Sequence, residues 1–408
     1  MSGNVNRGTP ATRRQTATTR TVSQVNRTIV LDTLRTSGPM SRQRIIDETG
    51  LSPATVNRLL DTLKADRLVT DDERAPSRGG RPAQLIRFNA QAQSVLALTL
   101  GSDTLHGAVC DLTGHTRHHL NRPLHEGDGA PALIEQVIAF ATQLSQAADA
   151  LGAPPRAVAV GVPGVATGHD GLVEFAPALG WSSMPLGVRL TEELGIPAAI
   201  ENDVNLIALA AHRHTAPPGV QHLVALVADT GVGAGLVLGG QLHRGRLGAA
   251  GEVGYLLMER RSLNRPWPGF GDLESSVGLN GIRQRIAEAD SNGGIDGSDA
   301  PGYAALQHLF TAARHSEPAA GRLVRQLADD FALVIADIAV LISPDVVALG
   351  GRTFHHGGDL LIPAIETRLQ GRIPHVPPLT PIDADQLQLT GAAELALETT
   401  AITTPTLR

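Results

Sequence analysis

The sequence predicts an α/β protein in which a small winged helix-turn-helix head precedes a larger α/β body. Three observations carry the prediction. Three short helical signals separated by tight turns fill the stretch before residue 90. Glycine-rich turns between apolar strands and amphipathic helices occupy most of the rest. The charge divides at the same place: through Asn89 there are 15 Lys+Arg against 8 Asp+Glu, and beyond it 19 against 32. The net charge of -6 over 408 residues conceals that split. A basic head on an acidic body points to a polyanionic partner for the head alone.

The elements follow in order. Residues 1–20 are rich in Thr, Arg and Asn and carry no acidic group, and they are expected to form a flexible basic arm. The winged helix-turn-helix is expected over 21–90. Val22, Val25, Ile29, Val30 and Leu34 recur at helical spacing up to Gly38-Pro39. Ser41 can cap a second helix that carries Ile45 and Ile46 and stops at Gly50. Ser52-Pro53 then supplies an N-cap and a first-turn proline for a third helix burying Val56, Leu59, Leu60 and Leu63.

A short glycine-containing turn between two short helices is helix-turn-helix spacing. The opposite face of the third helix offers Ala54, Thr55, Asn57 and Arg58. Small and polar side chains there suit the major groove, where Asn reads adenine and Arg reads guanine or phosphate. A three-helix packing module without nucleic acid would show the same helices, but the basic arm and the wing favour DNA. The wing strands are expected at 68–70 and 84–88, with Arg78, Gly79, Gly80 and Arg81 between them. Two arginines flanking glycines fit a narrow minor groove, and a plain hairpin loop is the alternative.

In the body, residues 94–100 and 106–111 read as a hairpin. A long helix over 131–151 would turn Leu133, Val137, Ile138, Phe140, Ala141 and Leu144 inward. A buried strand over 158–162 ends at Pro163-Gly164, a strand pair spans 223–228 and 234–238, and a long helix covers 322–342. A last strand over 346–349 leads into Gly350-Gly351. No apolar run of membrane-spanning length and no signal-peptide core is present. Cys110 is the only cysteine, which excludes an intrachain disulfide and a thiolate zinc site. A cytoplasmic protein without a membrane partner is expected.

The run "SRQRIIDETGLSPATVNRLLDTL" followed by "GGRP" opens an ordered set of motifs. Gly231, Gly233 and Gly235, then Gly245, Gly251 and Gly254, accompany "ENDVN", "AGEVG" and "PDVVALGGR". With these, residues from about Thr21 to Leu397 resemble the repressor branch of the ROK family of repressors, open reading frames and sugar kinases. The resemblance implies a two-lobed, actin-like body of the ribonuclease-H type. Its first lobe would take residues 91–203 with about 380–400, and its second lobe 204–380.

By that resemblance Asp203 stands where the kinases hold a carboxylate that accepts the proton of a sugar hydroxyl. Asn202, Glu252 and Glu274 match further sugar ligands, and Tyr255 replaces a basic residue beside them. A helix N-cap is the alternative role for Asp203, and a surface charge for each of the others. Thr99, Ser102, Asp103 and Asp229 depart from the kinase phosphate loops, and their added carboxylates oppose a phosphate. No ATP-dependent catalysis and no cofactor are expected. Zinc-bearing relatives use a histidine and three cysteines where this chain has Tyr255, Asp272 and no such cysteines, so no metal is expected. Ala178 stands where an asparagine is common, and His118-His119 and His355-His356 read as strand and loop histidines.

Together these readings imply a sequence-specific regulator, a repressor of carbohydrate-related genes. It would bind operator DNA and a sugar-like effector in a non-catalytic cleft, as a homodimer or homotetramer. The alternatives are an active sugar kinase fused to a DNA-binding domain and a DNA-binding protein without an effector.

Overall fold

A computed structural model describes residues 19–74, 84–101, 103–124, 130–167, 171–264, 271–290 and 302–400. Two compact units divide the chain, one reaching to Ala90 and the other covering Gln91–Thr400. Among the described residues no helix is long and apolar enough to cross a membrane.

The first unit contains α1 (Thr19–Ser37), β1 (Met40–Ser41), α2 (Arg42–Thr49), α3 (Pro53–Ala65), β2 (Val69–Arg74) and β3 (Gln84–Phe88). Its helix boundaries are chemical. Ser41 accepts the Arg44 N–H at 3.3 Å, and Gly50 ends α2 at φ +67° with its own N–H on the Ile46 carbonyl. Ser52 accepts the Thr55 N–H at 3.2 Å and Pro53 opens α3. The expected set Val56, Leu59, Leu60 and Leu63 is buried. The inward face of α1 departs from expectation: Val30, Leu31 and Leu34 are buried, whereas Val22, Val25 and Ile29 are exposed. The wing strands pair antiparallel from Val69↔Phe88 to Arg74↔Gln84, and β1 lies along the other edge of β3.

The second unit begins with β4 (Ser94–Leu100), β5 (Thr104–Asp111), β6 (Thr116–Pro123), α4 (Ala130–Ala150) and β7 (Pro155–Val162). A small sheet of β8 (Val165–Thr167), β9 (Leu172–Ala176) and β10 (Trp181–Met184) precedes α5 (Leu186–Leu194), β11 (Ala198–Asn202) and α6 (Asp203–Ala210). Then come β12 (Leu223–Ala228), β13 (Val232–Leu238), β14 (Gln241–Leu242), α7 (Asp272–Val277), α8 (Leu279–Asp290), α9 (Ala304–Arg314) and α10 (Pro318–Ile342). The chain closes with β15 (Val346–Gly350), α11 (Arg352–Leu369), β16 (Leu379–Pro381) and α12 (Ala384–Thr399).

Two five-stranded sheets result, ordered β11-β7-β4-β5-β6 and β14-β13-β12-β15-β16. Each is an antiparallel three-strand meander extended by two parallel strands beside its first strand. This duplicated topology is that of the actin-like body. Leu96, Leu98, Val158 and Ile200 pack on Phe140 and Leu144 of α4. Leu226 and Leu349 pack on Phe310 of α9 and Phe331 and Ile335 of α10. His118 and His119 lie in β6 as expected, but His355 and His356 belong to α11 rather than to a loop.

α6 crosses between the two halves through close backbone contacts. A Cβ on Gly391 of α12 would lie 2.0 Å from the Leu206 carbonyl oxygen, and one on Gly235 of β13 would lie 2.5 Å from that of Val204. Only glycine permits both approaches. Gly235 thus serves the packing of α6 on β13.

Candidate functional site

In the head, Ala54, Thr55, Asn57 and Arg58 occupy the first turns of α3, opposite its buried stripe. Ala54, Asn57 and Arg58 are exposed, and Thr55 is half-buried with its hydroxyl 2.9 Å from Ser52 Oγ. Arg42, at the start of α2, donates from Nη1 to Asn57 Oδ1 at 2.9 Å. Arg42 was not among the expected site residues, although its place at the first turn of α2 was legible. Arg42 takes up one lone pair of Asn57 Oδ1, and the second lone pair and the amide N–H donors of this exposed side chain stay available for a base edge. Arg78, Gly79, Gly80 and Arg81 lie outside the described residues.

In the second unit Asn202 and Asp203 stand at the carboxyl end of β11, whereas Glu274 and the loop carrying Glu252 and Tyr255 lie against the start of β13. Asn202 ends β11 and caps α6 by accepting the Asn205 N–H at 3.0 Å. Its amide also donates to the Gly164 carbonyl at 3.0 Å. The capping alternative weighed for Asp203 thus falls to Asn202. Asp203 is instead the first helical residue, with Oδ1 accepting the Val204 N–H at 2.8 Å.

Burial pushes the Asp203 carboxyl from 3.8 up to about 7, opposed by the Val204 N–H and reinforced by Glu252 and by Asp229 beyond the end of β12. Glu252, in the loop after β14, is raised by its half-buried setting and then by Glu274. Glu274, in α7, accepts the Val232 N–H at 2.9 Å and is also raised by burial. A Cβ on Gly231 would lie 3.0 Å from Glu274 Oε2, so this glycine makes room for the carboxylate. Tyr255 is 47% exposed, and its phenol is raised by partial burial and then by Glu252 and Glu274. Asp203, Glu252, Glu274 and Tyr255 are therefore brought together, with Asn202 adjoining through the chain.

A further carboxylate was not expected from the sequence. Glu201, at 1% exposure, accepts from the Asn202 N–H at 3.0 Å, the Asn205 amide at 2.9 Å and Arg244 Nε at 2.5 Å. The pair fastens the loop after β14 to the end of β11. The first letter of "ENDVN" was the available signal, but its partner lies 43 residues away.

The sequence profile of the ROK family matches residues 95–399. The chain belongs to the ROK family. The profile of the IclR helix-turn-helix domain matches residues 29–73, so a helix-turn-helix head precedes the ROK body. A putative xylose repressor of Caldicellulosiruptor sp. (strain Rt8B.4) is 24% identical over 339 residues, 82% of this chain and 85% of the relative. The DNA-binding transcriptional dual regulator NagC of Escherichia coli (strain K12) is 24% identical over 364 residues, 88% of each chain. A glucokinase of Thermotoga maritima is 27% identical over 277 residues, 67% of this chain and 86% of its own. The crystal structure of a ROK family transcriptional regulator, homologous to the E. coli MLC protein, has a TM-score of 0.79 at 24% identity. That superposition covers 93% of this chain and 97% of the other and establishes the fold.

Other departures from the ROK kinase pattern can now be placed. Thr99 is buried inside β4, Asp103 is exposed beside the Thr104 hydroxyl at 3.1 Å, and Ser102 lies outside the described residues. Asp229 takes a hydrogen bond from the Tyr303 hydroxyl, and its Oδ1 has no partner among the described residues. Arg352 lies over the Tyr303 ring at 5.2 Å and pairs with Asp385 at 2.9 Å, beside a cavity of about 450 Å³. Asp272 accepts the Met258 N–H at 2.8 Å at the start of α7, a structural bond in place of a zinc ligand. The residues present do not fit a cysteine-based zinc site.

Proposed function

We propose that this ROK protein is a ligand-responsive repressor of carbohydrate-related genes, binding operator DNA through its head and a sugar-like effector in the body cleft. One observation carries the reading: a capped helix-turn-helix with an exposed polar face on α3 shares a chain with a ROK cleft built from Asn202, Asp203, Glu252 and Glu274. Two relatives that align over more than four-fifths of this chain are named a putative xylose repressor and a DNA-binding transcriptional dual regulator. Carboxylates and amides suit a polyol, whose hydroxyls both donate and accept. Across from them Asp229 and the engaged Arg352 leave little to stabilise a transferring phosphoryl group, so the cleft acts without nucleotide.

Ala54, Thr55, Asn57 and Arg58 would enter the major groove, and Arg78 to Arg81 the minor groove. Two heads in a homodimer or homotetramer would meet a pseudo-palindromic site in the cytoplasm. A gel-shift titration of the full chain on its selected DNA, with and without sugars and without ATP, tests the proposal.

A second reading has one observation in its favour. The Asp203 carboxyl near 7 is poised as the general base of a sugar kinase. Sugar-dependent ATP turnover abolished by Asp203→Asn would establish that reading.

A further inference from the structure

Base choice by the head can be traced to a side chain outside α3. Arg42 opens α2 and Asn57 lies in the second turn of α3, 15 residues on, yet Arg42 Nη1 donates to Asn57 Oδ1 at 2.9 Å. Both side chains are exposed, so the bond lies on the outer face of the helix pair. A guanidinium carries N–H donors and no acceptor. The edge of the Asn57 amide that meets Arg42 is therefore its oxygen, because the amide nitrogen would set donor against donor. The amide is thus held in one of its two orientations.

Charge points to the same face. Arg27, Arg35, Arg44, Lys64 and Arg87 are each paired with an acidic residue of the head. Arg42, Arg58 and Arg67 have no acidic partner among the described residues, and Arg67 stands beyond the far end of α3. The acidic groups nearest along these helices are Asp47, which accepts from Gln43 Nε2 at 2.9 Å, and Asp61, one turn on from Asn57. Arg42 thus keeps its charge for a polyanion while one of its donors holds Asn57.

In the major groove adenine sets the N7 acceptor beside the N6 amino donor, whereas guanine sets two acceptors side by side. An amide edge held with one lone pair and one N–H in fixed order matches adenine and opposes guanine. A free amide can instead turn its two N–H donors toward guanine. Resting on the placement of α3 in the major groove, we propose that Arg42 is a positioning residue for base readout. It holds Asn57 so that Oδ1 accepts from N6 and Nδ2 donates to N7 of one adenine in the bound sequence.

The test uses the full chain on DNA that the wild type selects from a random pool, with each position then substituted in turn and affinities read by gel shift. Replacing one particular adenine by another base should cost about ten-fold or more in affinity. Asn57→Ala should flatten that position alone. Arg42→Met, unbranched and without a donor, should flatten the same position although Asn57 is still present. A lost backbone contact would weaken all sequences alike and leave this ratio unmoved. Arg42→Lys, which also carries donors only, should hold the preference. Both positions are exposed, so melting temperatures should not change. Full adenine preference in Arg42→Met, or a base other than adenine at the position that Asn57→Ala flattens, would overturn the inference and leave α3 in the groove. No position flattened by Asn57→Ala would overturn the placement of α3 and the inference with it.

Discussion

Replacing Asp203 by asparagine isolates the electrostatic cost of the cleft. The folded state holds this carboxyl at about 7, against 3.8 ordinarily, because burial and neighbouring carboxylates disfavour its charge. At about 1.4 kcal/mol per pH unit, ionising it in place costs about 4 kcal/mol once both states are ionised. Between those two values the folded state binds more protons than the unfolded one, so stability falls as pH rises through that window. Below about pH 4 both states are protonated and the contribution vanishes.

Asparagine keeps an oxygen for the Val204 N–H but does not titrate. The ligand-free Asp203→Asn variant should therefore gain stability over wild type, and by about 2–3 kcal/mol more at about pH 8 than at about pH 5. For a body of this size that is about 3–5 °C in melting temperature, read by differential scanning calorimetry at both pH values. An equal gap at the two pH values, or a variant less stable at both, would refute the assignment of Asp203 as an enclosed carboxylate beside other acids.

Other consequences are equally direct. Asn57→Ala and Arg58→Ala should each weaken specific DNA binding by about 1–3 kcal/mol in gel-shift titrations while leaving the melting temperature unchanged, since both side chains are exposed. Arg42→Ala frees Asn57 Oδ1 and should change the preferred base more than the overall affinity, measured by selection from randomised DNA. Replacing Arg78 and Arg81 together should lower the slope of log affinity against log salt by roughly one unit per lost phosphate contact, and equal slopes would place the loop off the DNA. Gly391→Ala should lower the calorimetric melting temperature sharply, because its Cβ would sit 2.0 Å from a backbone oxygen that cannot retreat.

The head was legible because its punctuation is local. Ser41, Gly50 and Ser52-Pro53 each fix a helix end through a bond to a residue within one turn. Helix α1 was harder, since its apolar residues form two adjoining stripes and spacing alone does not say which one is covered. Strand β6 lacks an apolar alternation because it is an edge strand, exposed along most of its length. In the cleft, the motif letters located Asp203, Glu252 and Glu274. The Asn202 bond to Gly164, the buried Glu201–Arg244 pair and the hold of Arg42 on Asn57 join segments 38, 43 and 15 residues apart. Pairings across tens of residues leave no periodicity to read.

Coupling between cleft and operator is the centre of the account. Its most direct measurement is the affinity of the full chain for DNA selected from a random pool, titrated with sugars in the absence of nucleotide. The account predicts that at least one sugar changes that affinity ten-fold or more, and that Glu252→Gln or Glu274→Gln abolishes the response without altering ligand-free DNA binding. An affinity indifferent to every sugar, together with sugar-dependent ATP hydrolysis that Asp203→Asn eliminates, would contradict it.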